Sequence, residues 1–415
     1  MFKFRKEVSN LQTVKKYTLA MFKNDLLAAF SCAAWTFPLA LAFGVTSPFG
    51  VYAGIIGGII ACLIGANGKN KIIVPNLAIF LIILYAANSM GVGAAMISIS
   101  LAGLIMVIIS RFHLSRKLIR ISPVAVGAIS FAVAIVLCII EVNFYFGIGI
   151  PQGTALFSLA AYKSFGFHAN WRGVLFGTIA LVIMITYPIK FKKFSKKVPE
   201  PFVALVLCLL LNIFLLNPEK THTYIDEIGN ISSNLIMSLD KINFSGLRKD
   251  NILQIVLFST AIVCVYLVDT LAREKHPNDI RKSLLLKGVG SVISPAFGGV
   301  PTISEKRAFG STRLVNLYSA IMIVLMTIVF FPVLDRVPVA PLGVIIIVIG
   351  WKSPSYKAMR KVLVASKHKL VSVAAMFALV FACVVWNIVY VIDIAAAVTF
   401  VYCIARYLIK NKKDK

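Results

Sequence analysis

The sequence predicts an all-α polytopic membrane protein with fourteen transmembrane segments, arranged as two seven-span inverted repeats. Three observations predict this class: the composition, the distribution of basic residues, and short interrupted apolar segments that recur in both halves. Of the 415 residues, 59% are hydrophobic and 14% are charged, and the mean hydropathy is +0.88. Water-soluble domains have about 45–50% apolar and about 25% charged residues. Most of this chain is therefore expected to lie in the lipid bilayer.

Apolar windows recur from residue 25 to the end of the sequence, each about long enough to cross a hydrocarbon core of about 30 Å. The predicted spans are 25–44, 48–66, 74–89, 92–110, 122–140, 172–188, 199–216, 252–272, 284–297, 301–312, 317–333, 338–351, 370–385 and 388–408. The domain order is then a basic cytosolic segment 1–24, a first repeat 25–216, an extracytoplasmic loop 217–250, a second repeat 251–409 and a short cytosolic tail 410–415.

The basic residues predict which ends of the spans face the cytosol. The formal net charge is +27, which could indicate a nucleic-acid surface. With the N-terminus inside, however, all but seven of the 43 Lys and Arg residues fall on the cytosolic side; the exceptions are Lys163, Arg172, Lys220, Lys241, Arg248, Lys249 and Arg336. Cytosolic loops of membrane proteins carry such an excess. We therefore expect both termini in the cytosol, a location in the bacterial cytoplasmic (inner) membrane, and no nucleic-acid partner.

Two motifs recur in order in the two halves. A Val-Pro pair follows a glycine-containing stretch at 74–75 and again at 300–301. Farther along, an Arg, a Pro-Val-Ala and a Gly recur with the same Arg-to-Gly spacing at 120–127 and 336–343. Each repeat would hold an odd number of spans, so the second would enter the membrane with opposite topology. Paired interrupted spans of this kind are typical of transporters that bind substrate at the repeat interface.

The two Val-Pro motifs predict a small anion pocket. Proline is favoured at the first position of a helix, so Pro75 and Pro301 are expected to start the third and tenth spans as half-helices at mid-membrane. The residues before them would run extended, which is tolerated where they are buried in protein or line a cavity. Helix N-termini present free N–H groups and a partial positive charge to an anion. Asn76, Thr302 and Ser304 add short hydrogen-bonding side chains near these starts.

Charged residues near these starts allow more than one interpretation. Arg307 could face the pocket or mark the cytosolic end of the span, and Glu305 could neutralise Lys306 or act as a ligand. Asp269 lies near the end of an apolar run, where an acid usually marks an ion or proton pathway. Its structural alternative is an ion pair with Arg273 one helical turn away.

The sequence shows no pattern for a cofactor, a metal or an enzyme active site. Its seven cysteines occur singly, without a CxxC pair, and its five histidines fall at span edges or in loops. Motifs for a serine nucleophile or a nucleotide are missing from usable contexts. We therefore predict no cofactor, no metal site and no enzymatic activity.

Four segments, in order, resemble the sulfate permease (SulP) family over residues 25–355: DLLAAFSCAAWTFPLALAFGVTSPFGVYAGIIGG, IVPNLAIF, VDTLAREKHPNDIRKSLLLKGVGSVISPAFGGVP and LDRVPVAPLGVIIIVIG. The resemblance implies the uracil-permease-type fold, with spans 1–4 and 8–11 in a core domain and spans 5–7 and 12–14 in a gate domain. It implies secondary transport of a small inorganic anion, such as sulfate or bicarbonate, coupled to H⁺ or Na⁺, by an elevator movement of core against gate. The chain would be a short member without the family's C-terminal STAS domain, and a homodimer is allowed.

The resemblance also implies site residues. Those carried over for the anion are Phe43, Asn76, Leu77, Thr302, Ile303 and Ser304. To these we add, from their positions in the sequence, Arg307 for the anion and Asp269 and Glu305 for the coupling ion. Leu39 stands where the family often has Gln after the first-span proline. The stretch TISEKRAFGSTR is also similar to nucleobase permeases, so a nucleobase:cation symporter with Glu305 as base ligand stays open as an alternative. A passive anion channel is the other alternative.

Overall fold

The computed structural model describes most of the predicted spans. The described residues are 18–46, 49–64, 71–112, 123–148, 154–215, 251–274, 276–301, 304–307, 310, 312, 314–353 and 369–398. The predicted loop 217–250, the tail 410–415 and two predicted ligands, Thr302 and Ile303, lie outside them.

The described residues are mainly helical. The helices are α1 (Leu19–Thr46), α2 (Val51–Ile64), α3 (Leu77–Met90), α4 (Val92–Ser110), α5 (Pro123–Phe146), α6 (Ala155–Phe165), α7 (Trp171–Lys190), α8 (Glu200–Leu215), α9 (Ile252–Arg273), α10 (Pro277–Ala296), α11 (Leu314–Phe330), α12 (Val339–Lys352), α13 (Lys369–Val385) and α14 (Ile388–Val398). Two short strands, β1 (Lys71–Val74) and β2 (Ser304–Arg307), and a 3₁₀ helix, Phe331–Arg336, complete them.

Six of the described helices are long and apolar enough to cross a membrane. Others, including α2, α3, α8 and α12, are apolar but shorter. The 14 residues of α3 give a length of about 21 Å at about 1.5 Å per residue, less than a hydrocarbon core. The described residues therefore contain both full-length and short apolar helices, as the prediction of interrupted spans requires.

Most predicted spans coincide with helices. The span 92–110 matches α4 at both ends, and 252–272 matches α9 to within one residue. The short helix α6 was not predicted, because residues 155–165 were assigned to an external loop. The repeat motifs at 123 and 338 begin α5 and α12, which pack extensively against each other.

The helices pack as two bundles. The first contains α1 to α4 with α9 to α11, and the second contains α5 to α8 with α12 and α13. These groups match the core and gate implied by the resemblance. Within the first bundle, α4 and α10 cross at Gly103 and Gly288, where a Cβ added to Gly103 would lie 2.7 Å from the Gly288 carbonyl oxygen. Only glycine permits this backbone approach. Between the bundles, α1 contacts α12 and α8, and α3 contacts α5.

The strands β1 and β2 form a two-stranded antiparallel sheet inside the first bundle. The paired residues are Lys71 with Arg307, Ile72 with Lys306, Ile73 with Glu305 and Val74 with Ser304. β1 fulfils the prediction that the residues before Pro75 run extended. The pairing helps the extended backbone to be tolerated here, because each strand supplies partners for the N–H and C=O groups on the facing edge of the other.

The tenth predicted span is wrong as a helix. We expected a half-helix beginning at Pro301, but residues 304–307 form β2 and the next helix begins at Leu314. Six residues separate β2 from α11, too few for a helix of the length of α3. Among the described residues of the second repeat, no helix begins between Pro301 and Leu314, so the described part of the site contains one helix N-terminus, that of α3. Strand pairing with β1, a contact remote in sequence, overrides the local Pro-first helix signal.

Polar contacts tie helix ends together. Asp25, on the first turns of α1, accepts hydrogen bonds from the N–H and hydroxyl of Thr312, at 3.0 and 2.5 Å, just before α11. The Lys352 ammonium, at the end of α12, lies 3.3 Å from the Glu200 carboxylate at the start of α8. The Asn212 amide, near the other end of α8, donates to the Arg336 carbonyl at 2.7 Å. Each of these contacts joins two helix ends that the predicted topology places on the same side of the membrane.

Candidate functional site

A cavity lies where β1 turns into α3. The cavity is narrow and open on one side. Its walls are one face of α1, three glycines and Ala61 of α2, Val300, and five residues of β1 and α3 with their connection: Ile73, Val74, Pro75, Leu77 and Phe80. The predicted ligand Asn76 is not among the wall residues. This is the interior position at which the sequence predicts an anion pocket, although the second wall is an irregular segment rather than a helix start.

The start of α3 is capped by its own sequence. The Asn76 side chain accepts hydrogen bonds from the N–H groups of Ala78 and Ile79, at 2.9 and 3.4 Å. Asn76 is therefore the N-cap, and Pro75 lies one residue before it rather than at the first helical position. Among the described residues, no acceptor is found for the N–H of Leu77, which lines the cavity. The positive end of the helix dipole therefore faces the cavity, while the Asn76 carboxamide oxygen is used in capping.

Thr36 is the polar side chain of α1 in the cavity wall. Its residue is 3% exposed, and its hydroxyl oxygen has no hydrogen-bond partner among the described residues. Buried hydroxyls nearly always have a partner. The Cys32 thiol, one helical turn earlier, is close enough to interact with this hydroxyl, which can still donate to a bound molecule. Sequence reasoning missed Thr36, although its spacing to Leu39 and Phe43 places all three on one helical face.

Aromatic rings close one side of the cavity. Phe43 and Phe80 both line it, with ring centroids 4.9 Å apart in an edge-to-face arrangement. Phe43 was predicted as a wall residue, and the structure brings it together with Pro75 and Leu77 around the same space. The remaining wall side chains are mostly aliphatic, which makes the cavity apolar apart from Thr36 and the helix start.

The floor of the cavity depends on a close backbone contact. The N–H of Val300 donates to the Ala53 carbonyl of α2 at 2.8 Å. A Cβ added to Gly57 would lie 2.1 Å from the Val300 carbonyl oxygen, so this contact requires glycine. The irregular segment before β2 is therefore held against α2, and its backbone is paired inside the membrane.

The structure places Asp269 away from the cavity wall, in an ion pair between α9 and α10. Its carboxylate lies 2.8 Å from the Lys287 ammonium, with side-chain exposures of 12% and 2%. The neighbouring Tyr266 hydroxyl donates to the Pro301 carbonyl at 3.3 Å, one residue beyond the cavity floor. The Arg273 side chain, the other predicted partner, lies outside the described residues.

Of the remaining predicted ligands, the structure describes only backbone. Ser304, Glu305 and Arg307 lie in β2, and the pairing with Val74 puts the Ser304 backbone beside the cavity. The positions of their side chains lie outside the described residues, so their roles as ligands stay predictions.

Two other acids lie within the bundles. Glu141 on α5 is fully buried, and both its carboxyl oxygens are without a hydrogen-bond partner among the described residues. Asp393 on α14 accepts a hydrogen bond from the Thr260 hydroxyl of α9 at 2.9 Å. Sequence reasoning missed Glu141 because the predicted span ended at residue 140, whereas α5 continues to Phe146. The apolar and aromatic residues that follow Glu141 could have indicated the longer helix.

Comparison with known proteins decides the family. The model of the sulfate permease family matches residues 22–376. The chain belongs to the sulfate permease family. This family membership confirms the resemblance found in the sequence and excludes an enzyme, since the members are membrane transporters. The chain is therefore an integral membrane protein.

Relatives in the sulfate permease family include two curated proteins. A putative sulfate transporter, YvdB of Bacillus subtilis (strain 168), is 24% identical over 94% of this chain and 75% of its own length. The bicarbonate transporter BicA of Picosynechococcus sp. is 22% identical over 82% of this chain and 63% of its own length. The chain thus spans three quarters of one relative and less than two thirds of the other.

Solved structures share the fold at low sequence identity. The transmembrane domain of a cyanobacterial BicA superposes with a TM-score of 0.66 at 19% identity, covering 93% of this chain and 98% of that one. SLC26A9 superposes with a TM-score of 0.74 at 13% identity, covering 96% and 68%. Murine Slc26a9, an anion transporter in the inward-facing state, gives 0.69 at 12% identity, covering 96% and 70%. These likenesses confirm the predicted helical membrane fold.

Proposed function

We propose that this member of the sulfate permease family is a secondary active transporter of a small inorganic anion, of the sulfate or bicarbonate class. The anion would bind in the cavity at the start of α3. The observation that carries the proposal is the buried Thr36 hydroxyl, which has no hydrogen-bond partner among the described residues and belongs to a residue that lines the cavity at the N-terminal end of α3. A helix N-terminus and a hydroxyl donor together can replace part of an anion's hydration shell.

The cavity walls bear on the charge of the substrate. Phe43, Phe80 and Leu39 offer no polar atoms, so an anion must leave most of its water behind when it enters. The free energy of desolvation rises with the square of the charge, and it is large for ions in a low-dielectric interior. The site therefore favours a singly charged anion such as bicarbonate over doubly charged sulfate, unless side chains from the segment around β2 add positive charge.

The two-bundle packing supports an elevator mechanism. The cavity is built within the first bundle, from α1, α2, β1 and α3, and the second bundle contacts α1 and α3 from outside. A rigid movement of the first bundle along the second would carry the bound anion between the two membrane faces. The movement would be driven by a gradient of H⁺ or Na⁺ acting through Asp269. Both termini would lie on the cytosolic side of the inner membrane.

The test is uptake of radiolabelled bicarbonate and sulfate into proteoliposomes that contain the purified protein. The proposal predicts saturable uptake of one anion, driven by an imposed cation gradient and competed by unlabelled anion but not by uracil or xanthine. Competition by a nucleobase alone would contradict it and favour the nucleobase symporter. Saturable uptake that no cation gradient changes would favour the passive channel.

A further inference from the structure

The ion pair between α9 and α10 has an unusual environment for a lysine. The Lys287 ammonium is 2.8 Å from the Asp269 carboxylate and 2.9 Å from the Thr270 hydroxyl, and it lies 5.8 Å from the centre of the Tyr266 ring. Lys287 is 2% exposed, and it ranks among the largest fully buried side chains of the described residues. Lysine is rarely buried to this degree unless it is paired.

These partners resemble the surroundings of a bound cation. A carboxylate and a hydroxyl provide oxygen ligands of the kind that hard cations prefer, and an aromatic face adds electrostatic attraction. Burying an ammonium and a carboxylate costs several kcal/mol per ion, which close pairing and further hydrogen bonds must offset. Both conditions are met here, since Lys287 donates to two side chains. The Asp269 carboxylate is therefore neutralised by a charge that is covalently part of the chain.

The pair is also connected to the cavity. Tyr266, beneath the ammonium, is fully buried and donates its hydroxyl proton to the Pro301 carbonyl. Pro301 follows Val300, which forms the cavity floor and donates to Ala53. A change at the ion pair can thus reach the anion site through a short chain of packed and hydrogen-bonded groups.

We infer that Lys287 is a built-in counter-cation that occupies the position at Asp269 where a Na⁺ ion would otherwise bind, so that this chain does not use a Na⁺ gradient. The inference rests on the proposed function and narrows it, because it excludes one of the two coupling cations at Asp269. Lys287 is a positioning residue in this account, since it acts through the Asp269 carboxylate and does not touch the anion.

Thermal unfolding of the purified protein in sodium, potassium and N-methylglucamine salts of one anion tests the inference without any transport assay. The wild-type Tm is expected to be the same in all three salts. In Lys287→Ala, the vacated space and the two remaining oxygen groups should accept Na⁺, which raises the Tm by about 2 °C or more over N-methylglucamine. The double variant Lys287→Ala/Asp269→Asn lacks the carboxylate and should lose this response.

The outcomes are separable. A Na⁺-dependent rise in the wild-type Tm, or wild-type uptake driven by a Na⁺ gradient, would overturn the inference, as would a folded Lys287→Ala that does not respond to Na⁺. If Lys287→Ala fails to fold, the double variant Lys287→Met/Asp269→Asn removes both charges and should fold. The inference is then decided by the wild-type Tm, which should be the same in sodium, potassium and N-methylglucamine salts. Failure of the proposed function would appear differently, as wild-type protein that neither binds nor transports an anion whatever its response to Na⁺.

Discussion

Replacement of Thr36 by Val tests the anion site without changing its shape. The substitution exchanges a hydroxyl for a methyl group of similar size at a residue that is 3% exposed. A hydrogen bond to a charged partner contributes about 1.5–3 kcal/mol, so its loss should weaken anion binding roughly 10- to 150-fold. In the anion-free protein the hydroxyl oxygen has no partner among the described residues. Its removal should therefore leave the Tm unchanged or raise it.

Isothermal titration of the purified protein with bicarbonate or sulfate measures the affinity, and thermal unfolding without anion measures the stability. Thr36→Ser keeps the hydroxyl and should bind within a few-fold of wild type. The control is Ser98→Ala on α4, which does not line the cavity. It removes a buried hydroxyl that donates to the Ala94 carbonyl of the same helix, and it should leave the affinity for the anion unchanged. The reasoning is refuted if Thr36→Val binds the anion as tightly as wild type, or if it loses affinity only in step with a lower Tm.

Three further changes test the structure around the site. Gly57→Ala places a Cβ 2.1 Å from the Val300 carbonyl oxygen at the cavity floor, so the Tm should fall and transport should be lost. Its control is Gly350→Ala, whose Cβ meets neighbours only at 3.4 Å or more. The control should leave both the Tm and transport nearly unchanged. Asp25→Ala removes the acceptor of two hydrogen bonds from the turn before α11 and should cost about 3 kcal/mol or more in thermal unfolding; a wild-type Tm would show that this tie is unimportant. Glu141→Gln should leave the Tm unchanged, because neither carboxyl oxygen of Glu141 has a hydrogen-bond partner among the described residues. Asp269→Asn breaks the buried ion pair with Lys287 and should lower the free energy of unfolding by about 3–5 kcal/mol. Equal effects of these last two substitutions would contradict the assigned partners.

Local patterns in the sequence predict much of the fold. Continuous apolar windows predict α4 and α9 almost to the residue, since hydrophobic length is a property of the segment itself. The Val-Pro motif predicts both the extended β1 and the helix that follows it, because proline and the Asn76 cap act within a few residues. A family resemblance predicts that Phe43 and Leu77 share a site; both line the cavity, and their role in binding an anion stays a prediction.

The missed features depend on contacts that are remote in sequence. The same Val-Pro motif at Pro301 leads into β2 because a strand more than two hundred residues away pairs with it. The positive-inside rule counts Lys287 among the cytosolic charges, but packing of α10 against α9 buries it beside Asp269. Thr36 is a single hydroxyl in an apolar helix, and only the position of β1 and α3 shows that it faces a cavity. Periodicity identifies a helix face, but it does not say what that face contacts.

The most direct test of the account is to locate a heavy anion in the protein by anomalous diffraction. Crystals grown with selenate in place of sulfate, or with bromide as a singly charged anion, would show the anion's position independently of any functional assay. The account predicts an anomalous peak in the cavity, within hydrogen-bonding distance of the Thr36 hydroxyl and beside the N-terminal end of α3. A peak at another site within the bundles, with this cavity empty at saturating anion, would contradict it.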